Sequence, residues 1–271
     1  MPRIIRGFGW KPDYPDQRDQ YFSPAGSVIQ ALPSSFDLTV KDPRINFDIY
    51  DQKQIGSCTA NALAAAVQYD CIKSGKDPAF FPSRLFLYYN ERVAESTVPF
   101  DSGAYLRDGA NSLSKTGICP DAAWPYIPDE ALFDGGPFPV GSKPATQPPQ
   151  AAYDAAANYK ITGYQALQQS LTQLQGAIVS GFPFAFGFTV YNSWTDPDPA
   201  PTVIPMPSAT DSVTGGHAVL AVGFDNATSL FKFRNSWGKN QGEAGYFYIP
   251  YAYITNPDLA SDFWVINAVK P

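Results

Sequence analysis

Small apolar residues crowd positions 57–75, SCTANALAAAVQYDCIKSG, and fall on nearly every face of a 3.6-residue period. That pattern predicts a helix buried on most sides, with Ser57 placed to cap its first turn and Gly75 placed to end its last. A second helical pattern covers 82–94, where Pro82 precedes Leu85, Tyr88 and Tyr89 at helical spacing, and a shorter one covers 109–117. Beyond residue 150 the period changes. One further helix is predicted over 165–181, followed by strand-like aromatic and β-branched runs at 182–190, 217–224, 230–237 and 245–250. Helices first and strands afterwards predict the α+β class. Five prolines and three glycines at 133–150 break regular structure and suggest a crossing between halves. Residues 1–30 contain Lys11-Pro12, Tyr14-Pro15 and Ser23-Pro24, show no sustained period, and read as an extended arm. The expected division is an arm at 1–30, a mainly helical part at 31–150 and a β-rich part at 151–271.

Composition narrows the function classes. With 44% hydrophobic and 16% charged residues the 271-residue chain should be globular. A net charge of −6 argues against nucleic acid as a partner, because that affinity comes from clustered Lys and Arg on phosphates. No apolar run is long enough to span a bilayer, and the first residues hold no secretory apolar segment, so an intracellular monomer is expected, with no membrane partner. Three cysteines and one histidine make no zinc site, and neither a metal nor another cofactor is expected. Asp196 and Asp198 are each followed by proline in a loop without the rest of a calcium-binding pattern. Cys58 and Cys71, about 20 Å apart along one helix, cannot bridge. Cys71 and Cys119 are either a pair or two small buried hydrophobes.

Candidate chemistry gathers at three residues. A thiol attacks carbonyls as thiolate, and the unpaired N–H groups at a helix N-terminus favour that form, which is where Cys58 is predicted to sit. His217 opens the run HAVLAVGF, Asn235 closes LFKFRN, and Asp225-Asn226-Ala227-Thr228 supplies turn residues between them. A hairpin centred near Asn226 sets His217 and Asn235 opposite one another, so the carboxamide can orient the imidazole. Nucleophile, base and orienter are then all present.

These residues resemble the papain and cathepsin family of cysteine peptidases. Gln52-Lys53-Gln54-Ile55-Gly56-Ser57-Cys58 is similar to the family's approach to its nucleophile, His217-Ala218-Val219 to its histidine segment, and Asn235-Ser236-Trp237-Gly238 with Gly242 and Gly245 to its asparagine segment. Weaker similarity runs over most of 32–250. The resemblance implies a papain-like two-domain fold, with a cleft between a helical domain carrying Cys58 and a β-rich domain carrying His217 and Asn235. It also implies that the Gln52 amide and the Cys58 N–H stabilise the oxyanion and that Trp237 shields the His–Asn hydrogen bond. Ile55, Thr59 and Gln241 depart from the family pattern, standing where a disulfide cysteine and two tryptophans are usual.

The expected activity is hydrolysis of peptide or protein substrates through a thioester. A papain-fold acyltransferase or amidase and an inactive peptide-binding module are the alternatives. By the same resemblance Gly187 and Ala218 line a pocket for an apolar side chain, with Gly103 and Trp237 completing the substrate-binding set. The arm at 1–30 is either a short prosegment of a zymogen, lying along the cleft over Cys58, or a structural arm packed on the back of one domain.

Overall fold

The computed structural model describes residues 8–267 and Val269. In chain order the strands are β1 Trp10–Lys11, β2 Ser35–Asp37, β3 Ala104–Tyr105, β4 Tyr164–Ala166, β5 Phe184–Tyr191, β6 Val213–Asp225, β7 Leu230–Arg234, β8 Tyr246–Pro250 and β9 Ala260–Ile266. The helices are α1 Gly26–Gln30, α2 Leu38–Lys41, α3 Cys58–Lys73, α4 Arg84–Ala94, α5 Leu106–Lys115, α6 Gln150–Ala156, α7 Leu171–Val179, α8 Asn192–Thr195 and α9 Tyr251–Ile254. The strands build an antiparallel sheet in the order β4-β9-β5-β6-β7-β8, with β2 also paired to β6. A separate two-stranded parallel sheet joins β1 to β3. The fold is α+β and papain-like.

Alternation along the strands sends one set of phenylalanines inward. Phe184, Phe186, Phe188, Phe231, Phe233, Phe247 and Phe263 are all buried. Phe186 stacks on Phe263 at 5.7 Å and Phe233 on Phe247 at 6.0 Å. On α3 the alanines at 60, 62, 64, 65 and 66 are buried. Their small side chains let the helix lie close among its neighbours, and this explains an apolar pattern with no preferred face.

Several boundaries differ from the sequence expectation, each for a local reason. Ser57 does not cap α3 with its side chain. Its hydroxyl is engaged instead with Tyr126 Oη at 2.7 Å and accepts from Asn61 Nδ2 at 3.1 Å. Gly75, just beyond Ser74 at the helix end, has φ +72° and stops α3 as expected. Helix α4 begins at Arg84 because Ser83 accepts the Phe86 N–H at 3.1 Å. Residues 165 and 166 belong to β4, and α7 starts only at Leu171, because Gln169 Nε2 is occupied with the carbonyls of Ile254 (3.0 Å) and Ala260 (2.8 Å). β2 and β9 were not anticipated. Within the arm, β1 and α1 replace a wholly extended chain; residues 1–7 of that arm lie outside the described residues. Cys71 and Cys119 are free and buried, not a pair.

Because the inward phenylalanines form one continuous layer, Phe233→Ala should destabilise the protein by about 3–5 kcal/mol. Chemical denaturation measures it. A cost below about 1 kcal/mol would show that the sheet core does not rest on this layer.

Candidate active site

Cys58 is the first residue of α3, and its sulfur lies near the backbone N–H of Ala218 on β6. The nucleophile candidate therefore lies against the residue that follows His217. His217 is fully buried, and its Nε2 is 2.8 Å from Asn235 Oδ1, which also accepts the Ser236 N–H at 2.8 Å. With a carboxamide oxygen as partner, Nε2 carries a proton.

The register of this pair differs from the expectation. Asp225 pairs with Leu230 and Leu220 with Arg234, with a bulge between Ala221 and Gly223. The turn thus lies further along than Asn226, and Asn235 falls just past the end of β7. His217 and Asn235 meet diagonally, not face to face, a separation that long side chains still span. Trp237 stacks on the His217 ring at 5.1 Å and 27°, and Trp194 stacks on Trp237 at 4.7 Å. Both indoles are buried, so the His–Asn bond sits under an apolar cover.

Gln52 is tied to the same segment. Its N–H reaches Ser236 O at 2.8 Å, its Oε1 accepts from Ser236 Oγ at 2.6 Å, and its Nε2 donates to Ile55 O at 3.0 Å. These bonds fix the amide beside the start of α3. Behind the loop, the Asp101 carboxylate accepts the Gly56 N–H with both oxygens (2.9 and 3.0 Å) and the Tyr88 hydroxyl at 2.6 Å. The Gln52 and Cys58 loop is thus held from two sides.

The arm passes directly over this constellation. The Gly9 N–H lies near the Cys58 sulfur, and Gly9 O accepts the Ala104 N–H at 2.7 Å. Gly103, at φ +66°, admits this approach: a Cβ there would fall 1.9 Å from Gly9 O. Trp10 covers Gly187, where a Cβ would be 1.9 Å from the indole, and Gly216, where it would be 2.4 Å from Trp10 O. Phe8 meets His217 edge-on at 5.8 Å and Trp237 at 6.4 Å. The expected pocket residues Gly187, Ala218, Gly103 and Trp237 are therefore gathered around residues 8–10 of the chain itself.

One expectation is corrected. The thiol was expected to be lowered by its helix-start position; with the arm in place burial pushes it up to about 12, while the N–H groups of Ala218, Gly9 and Thr59 pull it the other way. The place expected to take an apolar side chain holds the Trp10 indole, whose Nε1 donates to Asp262 Oδ2 at 3.0 Å. Asp262 and Asp101 were not singled out from sequence. Trp10, with Tyr14 and Tyr21, was legible as an aromatic anchor of a proline-broken arm, since such residues seldom stay in water. Among the described residues no cluster of three or more His, Cys, Asp or Glu could hold a metal.

The papain family cysteine protease model matches residues 32–262. The chain belongs to the papain family of cysteine proteases. An uncharacterised peptidase C1-like protein of Acanthamoeba polyphaga mimivirus is 35% identical over 98% of this chain and 88% of its own. A cathepsin B-like cysteine proteinase of Caenorhabditis elegans is 29% identical over 80% of this chain and 70% of its own. Among solved structures, xylellain, a cysteine protease from Xylella fastidiosa, superposes with a TM-score of 0.93 at 48% identity, covering 100% of this chain and 99% of that one. A procathepsin B of Trypanosoma congolense, 18% identical, shares the fold at a TM-score of 0.70, covering 99% and 87%.

In this papain-family protease the closed arm keeps the Cys58 thiol buried, and a group raised to about 12 stays protonated through neutral pH. Intact protein at pH 7 should therefore resist alkylation of Cys58 by iodoacetamide, read by mass spectrometry of the labelled peptide. Labelling as fast as a free cysteine in solution would show that the arm does not cover the sulfur.

Proposed function

We propose that this papain-family protease hydrolyses peptide bonds with Cys58 as nucleophile, His217 as general base and acid, and Asn235 as the residue that orients the imidazole. The observation that carries the reading is the seating of the Cys58 sulfur against Ala218 beside a histidine whose Nε2 is held by Asn235 at 2.8 Å. With Nε2 committed to Asn235, proton exchange with the thiol falls to Nδ1. The thiol proton passes to Nδ1, and the sulfur adds to the substrate carbonyl carbon. The resulting oxyanion takes hydrogen bonds from the Gln52 amide and the Cys58 N–H. Collapse breaks the C–N bond, and the imidazolium gives its proton to the departing amine. Water, deprotonated by Nδ1, then opens the thioester and returns the thiol.

The arm is read as a short prosegment that obstructs this site. What it presents to the sulfur is the Gly9 N–H, while the Gly9 carbonyl is turned to Ala104. An N–H offers no electrophilic carbon, so the segment blocks Cys58 without being attacked. When it leaves, the place of Trp10 between Gly187 and Asp262 becomes a pocket for a large substrate side chain, best one bearing an N–H donor at its tip.

A fluorogenic dipeptide amide, with and without residues 1–30, tests both parts. Cys58→Ala should abolish turnover. His217→Ala should lower kcat by about 10²- to 10⁴-fold, and Asn235→Ala by less, since it removes orientation and no proton-transfer group. Turnover retained in Cys58→Ala would sink the nucleophile assignment. Removal of residues 1–30 should raise kcat/KM by about tenfold or more if the closed form dominates. Trp10→Ala in the intact chain should act in the same direction. A stable shortened protein with unchanged activity would reject the prosegment reading.

A further inference from the structure

The seam between arm and body contains two facing carboxyl groups, one from each side. Asp262, on β9, accepts from Trp10 Nε1 at 3.0 Å and from the Asp13 N–H at 2.8 Å, both donors belonging to the arm. Asp13, on the arm, accepts from Trp264 Nε1 at 2.9 Å and from the Arg107 N–H at 3.3 Å, both belonging to the body. Each side therefore supplies the donors for the other's carboxylate. Asp262 holds its place at φ +60°, a conformation seldom adopted by residues with side chains.

The nearest guanidinium, Arg107, lowers both carboxyls through its charge but makes no ion pair with either. Arg107 directs Nε and Nη2 to Asp19 at 3.0 and 2.6 Å and Nη1 to Tyr14 O at 2.6 Å. Among the described residues neither Asp13 nor Asp262 has an ion-pair partner. Asp108 on α5 adds a further acidic group near Arg107, countered by Lys11 and Lys115. Tyr164 on β4 faces the same cluster as a neutral phenol.

We infer that the arm is a proton-held strap, closed when the Asp13–Asp262 pair keeps a proton and loosened as the pair becomes fully ionised, so that alkalinisation, not acid, opens the cleft. The inference rests on the reading of residues 1–30 as a covering arm. Its sign follows from linkage. Burial, then the charge of Asp262, raise Asp13 from 3.8 to about 7 in the closed form, and burial raises Asp262 as well. With the arm lifted, Asp13 is in water and titrates near ~3.9. Between about pH 4 and 7 the closed form thus holds one proton more than the open form, and closure weakens about tenfold for each pH unit across that window. Cys58, raised to about 12 in the closed form, keeps its proton there across this window. Glu95, the body's partner for Lys11 of the arm, is also raised by burial and therefore adds to the same slope.

Amide hydrogen exchange on the full chain with Cys58→Ala, which removes both self-cleavage and the thiol's titration, tests the strap. The Ala104 N–H is bonded to Gly9 O at 2.7 Å and so reports arm closure, while the Thr189 N–H, bonded to Leu259 O at 2.8 Å, reports the body. After correction for intrinsic exchange, Ala104 protection should fall about tenfold per pH unit from about 5 to 7 while Thr189 stays level. Adding Asp13→Asn should flatten the Ala104 profile. If that variant loses Thr189 protection, Asp13→Ala takes its place with the same expectation. Ala104 protection that is high but equal at pH 5 and 7, or a slope that survives undiminished in a folded Asp13 variant, overturns the strap and leaves the covering arm standing. No protection of Ala104 at any pH overturns both.

Discussion

Gly9 meets Gly56 on one side and Gly103 on the other with no side chain between them, and the closed state of the site depends on that contact. A Cβ on Gly9 would lie 1.8 Å from Gly56 O, and one on Gly103 would lie 1.9 Å from Gly9 O. Backbone can approach the Cys58 sulfur this closely because Gly9 and Gly103 lack side chains. With Gly9 fixed there, the residues on either side have little choice. Trp10 falls over Gly187 and Gly216, and Phe8 falls against His217 and Trp237. A short pairing of β1 with β3 thus determines what fills the pocket and what covers the imidazole.

That contact also decides between two opposing effects on the nucleophile. The start of a long helix favours a thiolate, by the partial charge of its unpaired N–H groups. Exclusion of water disfavours any charge. With the arm in place the second effect is larger, and the thiol stands near 12. The helix, the Ala218 N–H and the His217–Asn235 pair are built into the body and remain when the arm moves. On the proposed reading, opening would remove the burial together with the arm's own Gly9 N–H and leave the contributions of the body, so that access and activation of the thiol would come from a single motion.

The chemistry was more legible than the geometry that restrains it. Cys58, His217 and Asn235 could be found because each stands at the edge of a strong local pattern: a small-residue helix, and two aromatic strands joined by turn residues. Their register could not be found, since the bulge between Ala221 and Gly223 shifts the pairing without altering the hydrophobic alternation on either side. The cap on α3 failed for a similar reason, because Tyr126, far along the chain, competes for the Ser57 hydroxyl. β9 reads as a strand only once its neighbours β4 and β5 are known. Asp13 and Asp262 were hidden most completely. Each is an ordinary acidic residue locally, and only the contact between chain ends, 249 residues apart in sequence, makes them a pair.

The arm's two ends are held differently, and this limits what opening requires. Toward residue 30 it is part of the body: the Phe22 N–H reaches Ala166 O at 2.8 Å, and Gly176 of α7 fits closely against Pro24 and Ile29 of the arm. The segment over the cleft is anchored by Trp10, the β1–β3 pairing, the carboxyl pair and the ion pairs Lys11–Glu95 and Arg107–Asp19. Burying one tryptophan in a pocket contributes about 2 kcal/mol or somewhat more. Burial and the neighbouring charge of Asp262 raise the Asp13 carboxyl to about 7 in the closed form, so on the proposed reading loss of its proton would weaken closure without any covalent change. Because the fixed end keeps the lifted segment beside the cleft, its effective concentration stays high, and modest contacts suffice to close it again. A strap tethered in this way would reopen and reclose, whereas a cleaved prosegment, once diluted, would not return.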